Sequence, residues 1–286
     1  MNSSITLPEA LVGDLDVRAV TRVPGGGIAQ AYRVDTAGGT VFVKLMPDAP
    51  PGLFEREATG LHALRAVGAL GVPEVLRAHD YGLVLEWVDV DPDRTGDDGD
   101  FGRALAALHE CHGPRFGSID DRTHSYVGSV GVDLAPADTW AESYLVGRVQ
   151  PLAARCVRLG LLDPGVLVAV DGLIARGDEV CGPPEPPSLV HGDLWAGNWL
   201  VDTSGRHWVI DPSVSWSHRE LDLAMMQMFS GFGEGVFTAY HEVAPLAEGW
   251  QARVDLHQLL PLLVHVILFG DPYPGQVVRA LGRLGR

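Results

Sequence analysis

Apolar and polar positions alternate with a period of two along several short runs near the start of the chain. Residues 16–23 alternate in this way, residues 31–34 resume the pattern, and residues 40–45 form a mainly apolar run, so each predicts a β-strand. Residues 54–67 instead bring apolar side chains to one face at the helical period, and residues 84–88 form an apolar strand that one acid interrupts. This part of the chain is therefore expected to form strands with one main helix.

The pattern changes after an acidic stretch at residues 89–100, which contains proline and glycine and predicts a linker. A helix is expected to start at Phe101 with Asp100 as its N-cap. Two further helices are expected over residues 140–162 and 164–180, and the segments towards the end of the chain again have a helical pattern.

Length and composition are those of a globular protein, and the length can hold either one large domain or two lobes. The chain has 286 residues, of which 46% are apolar and 20% are charged. We predict a bilobal α+β fold: a small β-rich N-terminal lobe with one main helix, residues 1–88, and a larger, mostly helical C-terminal lobe, residues 89–286. No apolar run is expected to span a membrane, because residues 256–269 are too few and polar side chains interrupt them. The first residues have no features of a secretion signal.

Charge and cysteine content exclude further classes. The formal net charge is −16 and the basic residues are thinly spread, which argues against a nucleic-acid partner. The cysteines Cys111, Cys156 and Cys181 have neither metal-site spacing nor a pairing pattern, so idle or buried thiols in a reducing cytoplasm are expected.

Three side chains with oxygen atoms that can bind a metal ion are expected to meet at one loop in the second lobe. Asp193 follows an apolar strand end, and Asn198 comes five residues later. Residues 200–201 and 208–210 flank a turn-rich segment and predict a hairpin, which would return Asp211 to the same place. Each of these residues alone could be a cap or turn residue. Together they favour phosphoryl transfer, in which one carboxylate orients or deprotonates a hydroxyl while Asp and Asn oxygens hold Mg²⁺.

Lys44 is the only lysine among 21 basic residues, and it lies at the end of a predicted strand. Kinases place such an ammonium on the nucleotide phosphates, whereas a lysine that merely extends to solvent is the alternative. At about 100° per residue, Glu57 falls on the apolar face of its helix and Glu55 does not. An inward carboxylate needs a partner, and Lys44 is expected to supply it.

A glycine-rich turn lies between the first two predicted strands. Gly25, Gly26 and Gly27 could form a loop whose backbone N–H groups cover phosphates. The match to G-x-G-x-x-G is incomplete because Gln30 stands at the third glycine position, so the turn alone is also compatible with a plain hairpin.

The sequence around the loop is more specific than a general kinase motif. The chain contains H-G-D-L-W-A-G-N-W from His191 and H-R-E-L-D-L-A from His218. Both segments closely resemble the fructosamine kinase (ketosamine 3-kinase) family, within the wider group of aminoglycoside and choline kinase-like phosphotransferases. The resemblance covers nearly the whole chain, through F-V-K-L, F-E-R-E-A, L-V-L-E-W and F-T-A-Y-H.

The resemblance implies a protein kinase-like fold and ATP-dependent phosphorylation of the 3-hydroxyl of a ketoamine, a deglycation-repair activity. The acceptor would be a ribulosamine or fructosamine on free lysine or on a glycated protein. Asp193 would be the catalytic base, Asn198 and Asp211 would hold Mg²⁺, and Lys44 with Glu57 would bind the phosphates of ATP.

The same resemblance implies roles for the strand at residues 84–88 and for an aromatic side chain. The backbone of Glu86, Trp87 and Val88 would hold the adenine at the connection between the lobes. Trp195 would lie against the substrate, since an indole face suits a protonated amine, and core packing is the alternative.

Three further residues near the loop have expected roles. His218 would either line the substrate cleft or cap the helix that begins near Glu220. Asp222 is expected to brace the catalytic loop through its backbone, as an acid at this place does in related kinases. His191 is expected to pack and to form hydrogen bonds rather than to react.

Two other functions stay open at this point. The chain could phosphorylate an aminoglycoside or a choline-like amino alcohol, or it could bind nucleotides without catalysis. It is expected to be a cytoplasmic monomer with no membrane partner. Several family members have a redox-sensitive cysteine in the phosphate loop, which this chain lacks, so thiol-switched dimerisation is not expected.

Overall fold

The computed structural model describes residues 7–24, 27–93 and 96–285. Its first part contains one antiparallel sheet of five strands in the order β1-β2-β3-β5-β4. The strands are β1 (Val17–Val23), β2 (Gln30–Thr36), β3 (Gly39–Leu45), β4 (Val75–His79) and β5 (Gly82–Glu86). Four of the five were predicted, whereas β4, a short edge strand without a clear apolar run, was not.

The alternation along β3 separates two faces of the sheet. Val43 and Leu45 are buried in a cluster that also contains Leu11 of the short helix α1 (Glu9–Val12). Lys44 lies between them in the strand, so its side chain leaves the opposite face.

The helix α2 (Leu53–Val67) covers that opposite face, as predicted. Its buried side chains recur at the helical period and include Phe54, Leu61 and Leu64. The helix ends at Gly68, whose left-handed φ of 73° lets its N–H bond back to the last turn.

The second part of the chain is mostly helical. Its helices are α3 (Asp98–His109), α4 (Gln150–Arg158), α5 (Gly165–Ala175), α6 (Gly177–Cys181), α7 (Glu220–Met228), α8 (Glu234–Val243), α9 (Trp250–Phe269) and α10 (Tyr273–Leu284). Short antiparallel strand pairs lie among them: β6 (His124–Val127) with β7 (Val130–Asp133), β8 (Ser188–Val190) with β11 (Ser215–Ser217), and β9 (Trp199–Val201) with β10 (His207–Val209). The predicted α+β architecture is confirmed.

Several helix boundaries differ from the prediction. Asp97, not Asp100, is the N-cap of α3, because its carboxylate accepts a bond from the Asp100 N–H at 3.0 Å. The helix predicted over residues 140–162 is π-helical over Glu142–Val149 and continues as α4. The next one is divided into α5 and α6, because Arg176 leaves the helical conformation at φ −109° and ψ 20°.

The helix α9 contains the apolar run at residues 256–269 and begins six residues before it. Its 20 residues are apolar enough, by length and composition alone, to cross a membrane. More than half of its most apolar window is buried inside the protein, where Leu256, Leu259 and Val266 belong to the core of the second part. A core helix passes the same test of length and composition, and the packing of α9 is that of a core helix.

A second apolar core joins the two parts of the chain. It contains Leu61 of α2, Phe101 of α3, Leu194 of the loop after β8 and Tyr240 of α8. This cluster extends across the predicted lobe boundary between residues 88 and 89, which stays a prediction. Cys156 and Cys181 are buried thiols, in line with one of the two states expected for the cysteines.

Candidate active site

The loop after β8 is held against the segment that follows β10. Gly192 has a φ of 83°, and a Cβ atom there would lie 2.0 Å from the Ser213 carbonyl oxygen, so only glycine fits. The Ser213 N–H donates to the carbonyl oxygen of His191 at 2.8 Å. These contacts leave no space between the two segments.

The hairpin of β9 and β10 returns Asp211 to the loop, as predicted. The N–H of Ile210 donates to the Asn198 carbonyl oxygen at 3.1 Å, and the carbonyl oxygen of Ile210 lies 2.9 Å from Nε2 of His191. Asp211 is therefore fixed on both sides next to the residues around Asp193. Its own φ of 55° is unusual for a residue other than glycine, and such backbone strain concentrates at functional sites.

Lys44 connects the sheet, the helix α2 and the hairpin. Its Nζ donates to both carboxylate oxygens of Glu57 at 2.9 Å, which confirms the predicted pair. The same Nζ lies 3.1 Å from Oδ1 of Asp211, a contact that was not predicted. The Lys44 side chain is 14% exposed, so these contacts form largely away from water.

Burial and neighbouring charges shift the pKa values of Lys44 and Glu57. Burial alone would lower the pKa of Lys44, but the carboxylates of Asp211 and Glu57 outweigh burial and raise it. Burial raises the pKa of Glu57, while Lys44 opposes the increase. Lys44 is therefore an ammonium at all relevant pH values, the form that can bind a phosphate.

Asp193 has the electrostatics of a proton acceptor. Burial raises its pKa to about 7, and the Asp211 carboxylate adds to the increase. Lys44 and the bond from the Asn198 amide oppose it. A carboxyl group whose pKa lies near neutrality is well matched to general base catalysis at neutral pH.

Asn198 and the carboxylates form a set of oxygen donors that fits a magnesium ion. The Asn198 amide donates through Nδ2 to the Asp193 carbonyl oxygen at 2.9 Å and to its Oδ2 at 3.3 Å. Its Oδ1 is the atom left for a cation. Among the described residues, Glu57 and Asp211 contact one ammonium, that of Lys44, and the charge of Lys44 also acts on Asp193. Hard oxygen donors with excess negative charge are the ligands that Mg²⁺ prefers.

The buried carboxylate of Asp222 braces the loop through its backbone, as expected. Its oxygens accept the N–H groups of His191 at 2.7 Å and Gly192 at 2.8 Å. His109 lies 3.2 Å from the same carboxylate. Burial would raise the pKa of Asp222, but the His109 contact and these bonds hold it below the ordinary value. His191 is fully buried, in keeping with its structural role.

Trp195 lies on the surface, two residues from Asp193, rather than in the core. Its side chain is 39% exposed and contacts Phe229 edge-on, with ring centroids 5.8 Å apart. The ring crosses over Gly197, where a Cβ atom would lie 2.2 Å from the indole. An exposed indole two residues from Asp193 can contact a bound acceptor.

His218 caps a helix and does not line the cleft, which corrects one of its two predicted roles. It is 2% exposed, and its Nδ1 accepts the N–H of Glu220 at the start of α7. Its ring packs on Trp140 and His257. Burial and nearby cations lower the pKa of His218 to about 3, so the ring is neutral.

The surroundings of His218 resemble a metal site only in composition. Ligand atoms of His218, Glu220 and His257 lie within 4.8 Å of one another. However, Arg253 donates to both oxygens of Glu220, and Nε2 of His257 accepts the Trp140 N–H at 3.1 Å. The guanidinium of Arg253 stands where a metal ion would have to bind, so these residues form a closed internal network.

Two other tryptophans lie close to Asp193 in the sequence, and neither is exposed as Trp195 is. Trp199 is 4% exposed and packs on Phe101 and Phe232. Trp216 lies in β11 and packs against the apolar core. Trp195 alone of the three is exposed.

The predicted nucleotide contacts are only partly described. Gly25 and Gly26 lie outside the described residues, and Gly27 lies close to Phe269 at the end of α9. The side chain of Glu86 accepts the Glu74 N–H at 3.1 Å. The Trp87 indole donates to Asp89 at 2.9 Å. These side chains are engaged within the protein, so an adenine at Glu86, Trp87 and Val88 would use the backbone.

The fold and this site define a phosphotransferase of the protein kinase-like class. Residues 2–285 match the model of the fructosamine kinase family, and the chain belongs to that family. A probable ketoamine kinase of Enterococcus faecium is 31% identical over 96% of this chain and 98% of its own length. The chloroplastic protein-ribulosamine 3-kinase of Arabidopsis thaliana is 29% identical over 90% of this chain and 79% of its own.

Solved structures agree with this assignment. A Thermobifida fusca protein named provisionally as a fructosamine-3-kinase is 41% identical, with a TM-score of 0.87 over 97% of this chain and 96% of its own. An aminoglycoside phosphotransferase has 16% identity and a TM-score of 0.61, which shows the shared kinase-like fold alone. The predicted fold class is thus confirmed.

Proposed function

We propose that this chain is a magnesium-dependent ketosamine 3-kinase that transfers the γ-phosphoryl group of ATP to the 3-hydroxyl of a ketoamine. The main support for the proposal is that five side chains lie together in a chain of the fructosamine kinase family: Lys44, Glu57, Asp193, Asn198 and Asp211. Relatives named ketoamine kinase and protein-ribulosamine 3-kinase support a ketoamine as the acceptor. The intact constellation also argues against an inactive nucleotide-binding protein.

Each residue has one role in the transfer. Asp193 takes the proton of the acceptor hydroxyl while that oxygen attacks the γ-phosphorus and the bond to ADP breaks. Lys44, oriented by Glu57, binds the phosphates of ATP. Asn198 and Asp211 would hold the Mg²⁺, which neutralises charge on the phosphates when bound.

The remaining predictions belong to the same proposal. Gly25, Gly26 and Gly27 would cover the phosphates, and the backbone of Glu86 to Val88 would bind the adenine. The lobes would meet near residues 88 and 89, with the nucleotide between them. We further propose a cytoplasmic monomer that acts on ketoamines of free lysine or of glycated proteins.

The charges near the base favour a small cationic acceptor over a polycationic antibiotic. An aminoglycoside needs several separated carboxylates, but Asp222 is bound to the loop backbone and Glu220 to Arg253. Glu185 is likewise held by Arg219. The exposed Trp195 offers one aromatic face, which suits a single protonated amine with a short polyol.

The acceptor is identified by kinetics with ribulosyl-lysine, fructosyl-lysine and kanamycin at saturating ATP and Mg²⁺. We expect the better ketoamine to exceed kanamycin in kcat/KM by at least about a hundredfold, roughly 2.7 kcal/mol of transition-state stabilisation. Equal kcat/KM values for kanamycin and either ketoamine would favour the aminoglycoside alternative instead.

A further inference from the structure

The start of helix α2 is tied to a segment far away in the sequence. Nη1 of Arg56 donates to both carboxylate oxygens of Asp120 at 2.7 Å, and Nη2 donates to the Ser118 hydroxyl at 3.1 Å. The Arg56 side chain is only 7% exposed. A guanidinium buried to this degree is strongly constrained, because loss of its partner leaves a charge without compensation.

The carboxylate of Asp120 is ionised in this contact. Burial alone would raise its pKa, but the bonds from Arg56 and from the Arg122 N–H outweigh burial and lower it. Asp120 is also held by Ser118, whose hydroxyl donates to it at 3.0 Å. The acceptor of the Arg56 guanidinium is therefore itself fixed.

The same distant segment also holds the residues that follow Asp211. The Tyr126 hydroxyl donates to the Pro51 carbonyl oxygen, just before α2, at 2.8 Å. The Tyr126 carbonyl oxygen accepts the Ser213 hydroxyl at 2.6 Å. Residues 118–126, which we name the brace segment, thus contact both the helix of Glu57 and the segment of Asp211.

Arg56 is the immediate neighbour of Glu57 in the helix. Their side chains leave the axis about 100° apart, so fixing one of them fixes the rotation of the helix and the direction of the other. If α2 turned or moved outward, Glu57 would leave Lys44, and Lys44 would lose the partner that directs it.

We propose that Arg56 and Asp120 are a positioning pair that holds helix α2 in place, so that Glu57 meets Lys44 before any nucleotide binds. This inference rests on the proposed role of Lys44 and Glu57 in binding ATP. The pair acts through Glu57 and does not touch the substrates.

The brace segment supplies a matched control. Arg122 also pairs with α2, through Glu55 at 2.6 Å, but the two side chains are 49% and 62% exposed. Its Nε lies 3.6 Å from Asp120, a longer and more exposed contact than the one that Arg56 makes with the same carboxylate. An exposed pair of this kind contributes little. Arg122→Ala should therefore be nearly silent, although it removes an arginine contact to the same helix.

The test compares Arg56→Ala, Asp120→Asn and Arg122→Ala, each with and without Glu57→Gln. We measure kcat and KM for ATP with saturating fructosyl-lysine, KM for fructosyl-lysine with saturating ATP, and the Kd of the ATP analogue AMP-PNP with Mg²⁺. The analogue needs no acceptor, so this arm gives a result even if ketoamines are not substrates. Thermal unfolding shows whether each variant is folded at the assay temperature. If Arg56→Ala is not folded, Asp120→Asn replaces it in the comparison.

Arg56→Ala is expected to lower kcat/KM for ATP about 10- to 100-fold and to raise the Kd of AMP-PNP at least about fivefold. KM for the acceptor should stay unchanged, and Arg122→Ala should stay within about twofold. With Glu57→Gln already present, removing Arg56 should cost less than about threefold, because coupled residues are not additive. The inference would be overturned if Arg56→Ala left kcat/KM for ATP and the Kd of AMP-PNP unchanged. It would also be overturned if the losses caused by Arg56→Ala and by Glu57→Gln multiplied when both changes were present.

Discussion

Asp193→Asn is expected to lower the rate of phosphoryl transfer by about 10²- to 10⁴-fold, while the affinity for ATP stays nearly the same. The carboxamide keeps the shape of the side chain and can still accept the bond from Asn198, but it cannot take the proton of the acceptor hydroxyl. Steady-state kinetics and AMP-PNP titration measure the two quantities separately.

The isosteric change Asp171→Asn on the exposed face of α5 serves as its control and should retain full activity. If Asp193→Asn keeps more than about a tenth of the wild-type rate, Asp193 is not the base.

Lys44→Arg is expected to lower kcat/KM for ATP by on the order of 10²- to 10³-fold although the charge is preserved. The Lys44 ammonium contacts Glu57 and Asp211 through one nitrogen in a largely buried space. A longer, planar guanidinium cannot keep both contacts from the same position and reach the phosphates as well.

The reverse exchange, Arg103→Lys, provides the control for this variant, because Arg103 is exposed on α3 and pairs with the exposed carboxylates of Asp97 and Asp100. It should leave kinetics unchanged. Near-normal turnover of Lys44→Arg would refute the argument from the lone lysine.

Local patterns were sufficient to predict the central residues of the site. The helical period alone placed Glu57 on the inner face of α2, and the strand pattern ended at Lys44, so their contact followed. The turn between β9 and β10 returned Asp211 to Asp193 and Asn198 for the same reason, since a hairpin brings its ends together.

Contacts that depend on tertiary packing could not be predicted. Arg56 and Asp120 are 64 residues apart, and no period or turn relates them. The sequence likewise could not decide whether His218 caps a helix or lines the cleft. Its burial against Trp140 depends on how the helices pack. The contact of Lys44 with Asp211 needs the sheet and the hairpin to meet, which no local segment specifies.

The most direct test of the proposed function is the position of the phosphate in the product. Fructosyl-lysine is incubated with the protein, ATP and Mg²⁺, and the product is analysed by phosphorus-coupled NMR and mass spectrometry, with Asp193→Asn as the blank. We expect a single phosphate on the oxygen of C3 that forms only with the wild-type chain. A phosphate on another hydroxyl, or no transfer from ATP that the protein demonstrably binds, would contradict it.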